Sequence, residues 1–194
     1  MEFIKQSIPD IILIKPKVLQ DHRGYFVETF RQDKFEDVIG HQVNFCQHNE
    51  TKSNKGVLRG LHFQLPPYAQ SKLVSVIEGE VLDVSVDIRH GSPTFGNYVA
   101  EYLSDKNKNQ LFIPRGFAHG FLVLSKWAIF SYKVDNYYSP ECDVGLAFND
   151  STLGINWVLP LDQLKLSDKD SNLSTLEKLD NECLSFDYKK NLYD

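Results

Sequence analysis

The sequence predicts an all-β fold, a jelly roll or double-stranded β-helix with a few short helices. Three observations lead there. In Leu82-Asp83-Val84-Ser85-Val86-Asp87-Ile88-Arg89 apolar and polar residues alternate at every position, the period of a half-buried strand. Roughly ten short segments of strand character follow one another, divided by turn clusters such as His90-Gly91-Ser92-Pro93 and Ser104-Asp105-Lys106-Asn107. Helix signals are few, and the strand spacing is too irregular for a propeller. A closed jelly roll remains, with an interior able to hold one small ligand.

The elements can be justified in chain order. Strands are expected at Ile11–Lys15 and Gly24–Phe30. Gln32–Ile39 should form a short helix that buries Phe35, Val38 and Ile39 and stops at Gly40. Strands follow at Val43–Asn49, Val57–Gln64 and Lys72–Ile77; Glu78-Gly79-Glu80 is a tight turn into the alternating strand. Tyr98–Leu103, Leu111–Ile113, Gly120–Leu124 and Trp127–Val134 complete the set. A second short helix is expected at Ser174–Leu179. The 194 residues suit one domain, residues 1–171, with a C-terminal extension, 172–194, read as a short helix and an acidic tail.

Composition narrows the function. The chain is 42% hydrophobic and 24% charged, so a folded core is expected rather than disorder. Phe, Trp and Tyr make up 12%, which suits pleated sheets and stacking pockets. With 21 basic against 26 acidic residues the net charge is −5, which argues against a nucleic-acid binder while allowing a local basic pocket. No segment approaches the roughly 20 apolar residues of a membrane span. Met1 to Gln6 has no signal-peptide character. Cys46, Cys142 and Cys183 form no CxxC pair and read as reduced, partly buried thiols of a cytoplasmic protein.

Four clusters carry side chains able to do chemistry. In Val57-Leu58-Arg59-Gly60-Leu61-His62-Phe63-Gln64, His62 is either a core histidine bonded to a carbonyl or a general base. Lys72 in Ala69-Gln70-Ser71-Lys72-Leu73-Val74 opens a strand, ordinarily a solvated position. In Phe112-Ile113-Pro114-Arg115-Gly116-Phe117-Ala118-His119-Gly120, Pro and Gly mark a turn and Gly120 permits close approach of a neighbour; His119 either caps the loop or meets a ligand. In Trp127–Val134, alternation sets Tyr132 on the inward face with Ala128, Phe130 and Val134, where a phenol needs a partner. Pro114-x-Gly116-x-x-His119 resembles half of the cupin metal signature. The other half offers only His62, with Gln64 where a second histidine could stand and no clear acidic third ligand. No metal is expected.

Together these motifs resemble the dTDP-4-dehydrorhamnose 3,5-epimerase family of cupin-type enzymes. The resemblance runs from about Ile4 to Ser171. It rests on Asp21-His22-Arg23-Gly24-Tyr25-Phe26-Val27-Glu28, Val57 to Gln64, Ala69 to Val74, Val84 to Arg89, Ser92-Pro93-Thr94-Phe95-Gly96, Ile113 to Gly120, Tyr132 to Pro140 and Leu166-Ser167-Asp168-Lys169-Asp170, in order and at family spacing. A 4-keto sugar has acidic C–H bonds at C3 and C5, and inverting them needs a base on one face, an acid on the other, and positive charge at the enolate oxygen. No cofactor is required. The resemblance implies His62 as base, Asp170 as its orienting partner, Lys72 as enolate stabiliser and Tyr132 as acid. It further implies Arg23, Arg59 and Lys169 at the diphosphate or sugar, and Glu28, Gln47, Asn49, His119, Asp143 and Tyr138 at the sugar or nucleotide.

It also implies a nucleotide-sugar substrate, a cytoplasmic place in dTDP-rhamnose biosynthesis for lipopolysaccharide or capsule, and a homodimer whose N-terminal strands extend the partner's sheet. A site completed across that interface would use Arg23 and Glu28. One departure stands out: His48, between Gln47 and Asn49, replaces an acid and is expected to alter contacts near the substrate. Epimerases of other nucleotide-linked 4-keto sugars, such as GDP-linked heptoses, or of C3 alone, would use the same set. A 3,4-ketoisomerase on the same fold fits the motif series less well. A non-catalytic sugar-binding jelly roll is the alternative from another class.

Overall fold

The computed structural model describes residues 1–179 and 186–193. Its strands are β1 (Glu2–Lys5), β2 (Ile12–Lys15), β3 (Val18–Asp21), β4 (Gly24–Val27), β5 (Gln47–Asn54), β6 (Leu58–Gln64), β7 (Lys72–Glu78), β8 (Glu80–Asp87), β9 (Tyr98–Ser104), β10 (Gln110–Ile113), β11 (Phe117–Val123), β12 (Trp127–Val134) and β13 (Asp143–Gly145). Helix α1 spans Gln32–Ile39 and a single turn, α2, spans Asp168–Ser171. Two antiparallel sheets face each other, one ordered β1-β2-β10-β7-β12-β5 and the other β13-β6-β11-β8-β9. β3 and β4 pair only with one another.

The jelly roll is therefore present, and period-two sorting explains its layers. Residues of one parity fill the barrel: Val74 and Val76 from β7, Val81 from β8, Phe121 and Val123 from β11, and Ala128 and Phe130 from β12 form one buried cluster. Phe121 and Phe130 stack with centroids 4.0 Å apart. Residues of the other parity look outward and are covered as well. On the first sheet, Ile12, Ile14, Leu73 and Phe112 pack under Phe35 of α1. Val38, however, is exposed and Ile39 only partly buried, because one helical turn reaches the sheet.

The alternating strand departs from expectation. β8 is buried on both faces, not one: Leu82, Val84 and Val86 lie beneath Leu146, Leu153, Trp157, Leu176 and Phe186 of the C-terminal segment. Asp83, Ser85 and Asp87, each 0% exposed, line the interior instead of facing solvent. The polar half of the alternation faces the barrel interior. Asp87 is satisfied by side chains, accepting from Arg89, Ser92 and Thr94, whereas Asp83 Oδ1 and Ser85 Oγ are buried without a hydrogen-bond partner among the described residues.

Other boundaries moved for local reasons. β5 runs through the polar stretch to Asn54 because all its positions pair with β12. β11 begins at Phe117, so His119 lies inside a strand rather than a turn. β1, β3, β13 and α2 are too short for their periodicity to be read. The second expected helix is a single 3₁₀ turn at Leu176–Lys178. Cys46 is exposed, not partly buried, and Cys142 is a partly buried free thiol; Cys183 lies outside the described residues.

Candidate active site

β6 and β7 bring His62 and Lys72 to one end of the barrel interior. There an open pocket of about 390 Å³ is lined by Gln47, Asn49, His62, Lys72, Tyr132, Tyr138 and Asp143, together with Glu50, Phe63, Gln64 and Gln70. Registry explains the grouping. Tyr132 pairs directly with Asn49 across β12 and β5, and Lys72 sits opposite Val134 on β12. His62 lies between Gly145 of β13 and His119 of β11, and Gly145 has no side chain to cover it.

Asp170 reaches His62 from outside the barrel. Its turn, α2, is capped by Ser167, whose Oγ accepts from the Asp170 amide at 3.1 Å and donates to Oδ2 at 2.8 Å. Oδ1, held by this cap, meets His62 Nε2 at 2.5 Å. Burial opposes ionisation of Asp170, but hydrogen bonds from His62 and Ser167 outweigh it and hold the carboxyl below its ordinary value. The carboxylate thus fixes the ring's orientation. His62 keeps 31% of its side chain exposed, against 5% for Asp170.

Lys72 donates to the His62 carbonyl at 3.2 Å. Burial lowers its pKa from 10.5 to about 8, against the pull of Asp143 and Asp83. Desolvation pushes the phenol of the partly buried Tyr132 upward, with the neighbouring Asn49 side chain and Arg59 opposing. Tyr132 points inward against the barrel core, as alternation required. One lysine, one histidine–carboxylate pair and a phenol therefore converge on one cavity.

The other expected residues are spread around this pocket and beyond it. Asp143, opposite Gln64 in the register, accepts from Lys169 Nζ at 2.5 Å and Tyr138 Oη at 3.0 Å, so all three share the rim. Gln47 accepts from the Tyr138 amide at 3.1 Å and donates to Asn49 at 2.9 Å, linking the rim to the inner wall. Arg59 is exposed, with Nε on Ser53 Oγ at 3.1 Å. His119 is buried beneath the pocket, where Nε2 bonds Asp83 Oδ2 at 2.9 Å. Burial pushes its pKa down, against the pull of Asp83.

Arg23 and Glu28 are not brought to this pocket. Arg23 sits on the β3–β4 hairpin, 79% exposed and ion-paired with Asp21 at 2.6 Å. Glu28 follows that hairpin and is exposed. His48 also stands apart: between the inward Gln47 and Asn49 it must point outward, and its Nε2 bonds Ser131 Oγ at 2.7 Å. His48 is therefore not among the residues that line this pocket.

Sequence reasoning missed Asp83 and the role of Gln64. Asp83 looked like a solvent-facing position; its signal was the lone polar run opposite an apolar one. Gln64 is a loop organiser: its amide donates to the carbonyls of Tyr68 at 2.7 Å and Tyr137 at 3.1 Å and accepts from Ser139 N at 2.8 Å. Among the described residues no group of three or more His, Cys, Asp or Glu is arranged to hold a metal ion.

A sequence model of one family, described as dTDP-4-dehydrorhamnose 3,5-epimerase, matches residues 5–178. The chain belongs to this epimerase family. A Shigella flexneri dTDP-4-dehydrorhamnose 3,5-epimerase is 54% identical over 172 residues, spanning 89% of this chain and 94% of that one. A Legionella pneumophila dTDP-6-deoxy-D-glucose-3,5-epimerase, solved with dTDP-4-keto-L-rhamnose, is 46% identical and superposes with a TM-score of 0.93 over 97% of this chain and 99% of its own. A Streptomyces bikiniensis 3′-monoepimerase solved with dTDP-quinovose is 34% identical, with a TM-score of 0.82 over 89% and 86%. Membership makes the chain an isomerase-class enzyme with the cupin-like jelly roll of its epimerase relatives.

Proposed function

We propose that this epimerase converts dTDP-4-dehydro-6-deoxy-D-glucose to dTDP-4-dehydro-L-rhamnose by inverting C3 and C5 in the pocket of His62, Lys72 and Tyr132. The observation that carries the reading is the 2.5 Å contact of His62 Nε2 with Asp170 beside Lys72 and Tyr132 in one cavity. His62 takes the C3 proton, and the C–H electron pair becomes the C3–C4 double bond of an enolate with its charge on the C4 oxygen. The ammonium of Lys72 stabilises that oxygen. Tyr132 delivers a proton to the opposite face as the enolate collapses, and the phenolate regains one from solvent. His62 returns its own proton to solvent, and the cycle repeats at C5. Every electron remains in the sugar, so the step needs no oxidant.

Lys169, Tyr138, Asp143, Gln47 and Asn49 form the rim and wall that would orient the nucleotide sugar, and Arg59 would meet a phosphate at the mouth. His119, beneath the floor, supports the sugar side through Asp83.

The enzyme acts as a homodimer in this reading. The β3–β4 hairpin pairs with neither large sheet and exposes Leu19 (52%), Tyr25 (57%) and Phe26 (68%). Such an apolar hairpin suits burial on a second copy, carrying Arg23 and Glu28 to the partner's pocket. No described helix is long and apolar enough to cross a membrane. Free Cys46 and Cys142 support a cytoplasmic place.

The test is proton NMR of the dTDP-4-keto sugar with the protein in D₂O. Loss of both the C3 and C5 signals, with L-configured product trapped by a reductase, is the expected result, and His62→Asn should be silent. Loss at C3 alone would replace the reading with a monoepimerase. No exchange would overturn it and turn attention to GDP-linked 4-keto sugars.

A further inference from the structure

A second cavity, of about 480 Å³, lies away from the active site beneath the last described residues and is lined by His41, Arg115, Leu192 and Tyr193 among others. The family match ends at residue 178, so the segment from Phe186 to Tyr193 lies beyond it. The segment is nonetheless anchored at both ends. At one end Phe186 is 1% exposed, its carbonyl accepts from His90 N at 2.7 Å, and Tyr188 N returns to His90 O at 3.0 Å.

At the other end Tyr193 enters a closed ring of contacts. Its hydroxyl meets Ser71 Oγ at 2.7 Å, and Ser71 is 0% exposed. The Ser71 amide donates to Asp135 Oδ1 at 2.6 Å, and Asp135 Oδ2 accepts from Arg115 Nε at 3.1 Å. Arg115 Nη1 donates to the Leu192 carbonyl at 2.9 Å, and its guanidinium lies 5.0 Å from the Tyr193 ring centroid, closing the ring. His41 packs against the same tyrosine with ring centroids 4.0 Å apart. Ser71 immediately precedes Lys72, and Asp135 immediately follows the end of the strand that bears Tyr132.

We propose that the segment from Phe186 to Tyr193 is a positioning strap, in which the Tyr193–Ser71–Asp135–Arg115 ring holds the ends of β7 and β12 that carry Lys72 and Tyr132. This rests on the roles given to those two residues above. Tyr193 and Ser71 touch no substrate; they act through Lys72. Burial raises the Tyr193 phenol to about 12, so it stays a neutral hydrogen-bonding group through the working range.

Tyr193→Phe keeps the ring and removes only the hydroxyl; a chain ending at residue 185 removes the strap. In Tyr193→Phe, kcat should fall about 3- to 10-fold, the factor one neutral hydrogen bond supplies, with KM unchanged. The alkaline limb set by Lys72 should move upward as its surroundings admit water. Amide hydrogen exchange, read by mass spectrometry, should quicken at Ser71 to Val74 in both variants. An unchanged limb and unchanged exchange overturn the strap, even if kcat or the melting temperature falls. A wild-type protein that epimerises nothing would instead count against the reading of function, while the exchange measurement still judges the strap.

Discussion

Lys72 shows how one residue's surroundings set its chemistry. On an open strand end it would be an ordinary lysine, but inside the barrel mouth burial brings its pKa to about 8. Its charge is present below that value and lost above it, so kcat/KM should fall on the alkaline side with an apparent pKa of about 8. Lys72→Arg should keep charge to far higher pH and, at whatever lower rate it works, lose that limb. A limb that persists unchanged in Lys72→Arg would assign it to another group. Tyr132 offers a second check, because in the proposed mechanism the base and the acid act on opposite faces. Tyr132→Phe should still exchange substrate protons with D₂O while forming little inverted product. Near-normal turnover in that variant would remove Tyr132 from the acid role.

Strand pairs decide whether those residues meet. β6 and β11 run antiparallel with a register shift between His119 and Phe121, and there two glycines face each other. Gly60 holds φ at +110°, which a side chain rarely adopts, and a Cβ on Gly120 would stand 2.7 Å from the Arg59 carbonyl oxygen. The close approach expected of Gly120 is thus to backbone rather than to ligand. Gly120→Ala should lower stability by about 1–3 kcal/mol through overpacking. It should also reduce activity, since the strands would separate beside His62 and His119. A melting temperature and turnover equal to wild type would show that the pair yields without cost. At the same scale, α2 is a single turn, yet its Ser167 cap presents Asp170 to His62; a four-residue element suffices because its job is to aim one carboxylate.

Taken as a whole molecule, the chain gathers its active site at the mouth of the barrel but leaves its N-terminal hairpin exposed. Four aromatic and aliphatic side chains there, Val18, Leu19, Tyr25 and Phe26, are 38–68% exposed. A dimer that covers them would explain why Arg23 and Glu28 lie outside this chain's own pocket. Light scattering should give a dimer. Tyr25→Ser with Phe26→Ser should yield a monomer of greatly reduced turnover, and Arg23→Ala should raise KM while the dimer persists. A fully active monomer would contradict this arrangement.

What the sequence carried on its own was local: alternation located β8, β12 and the inward Tyr132, and Gly40 ended α1 where its left-handed cap now stands, at φ +80°. The motifs, taken in order, also carried the family, because spacing survives in the linear chain. Periodicity says that two faces of a strand differ, but not which one meets water. Asp83 and Ser85 are therefore indistinguishable from surface residues by periodicity, and it is the C-terminal segment covering the apolar face that leaves them in the barrel interior. The same limit applied to His48, whose direction follows from its pairing with β12, and to Tyr193, which meets Ser71 across 122 positions of sequence. Alternation and turn chemistry act between near neighbours and can be read from the sequence alone, whereas burial and hydrogen-bond partners depend on which distant segments cover which face, and only the closed barrel decided that.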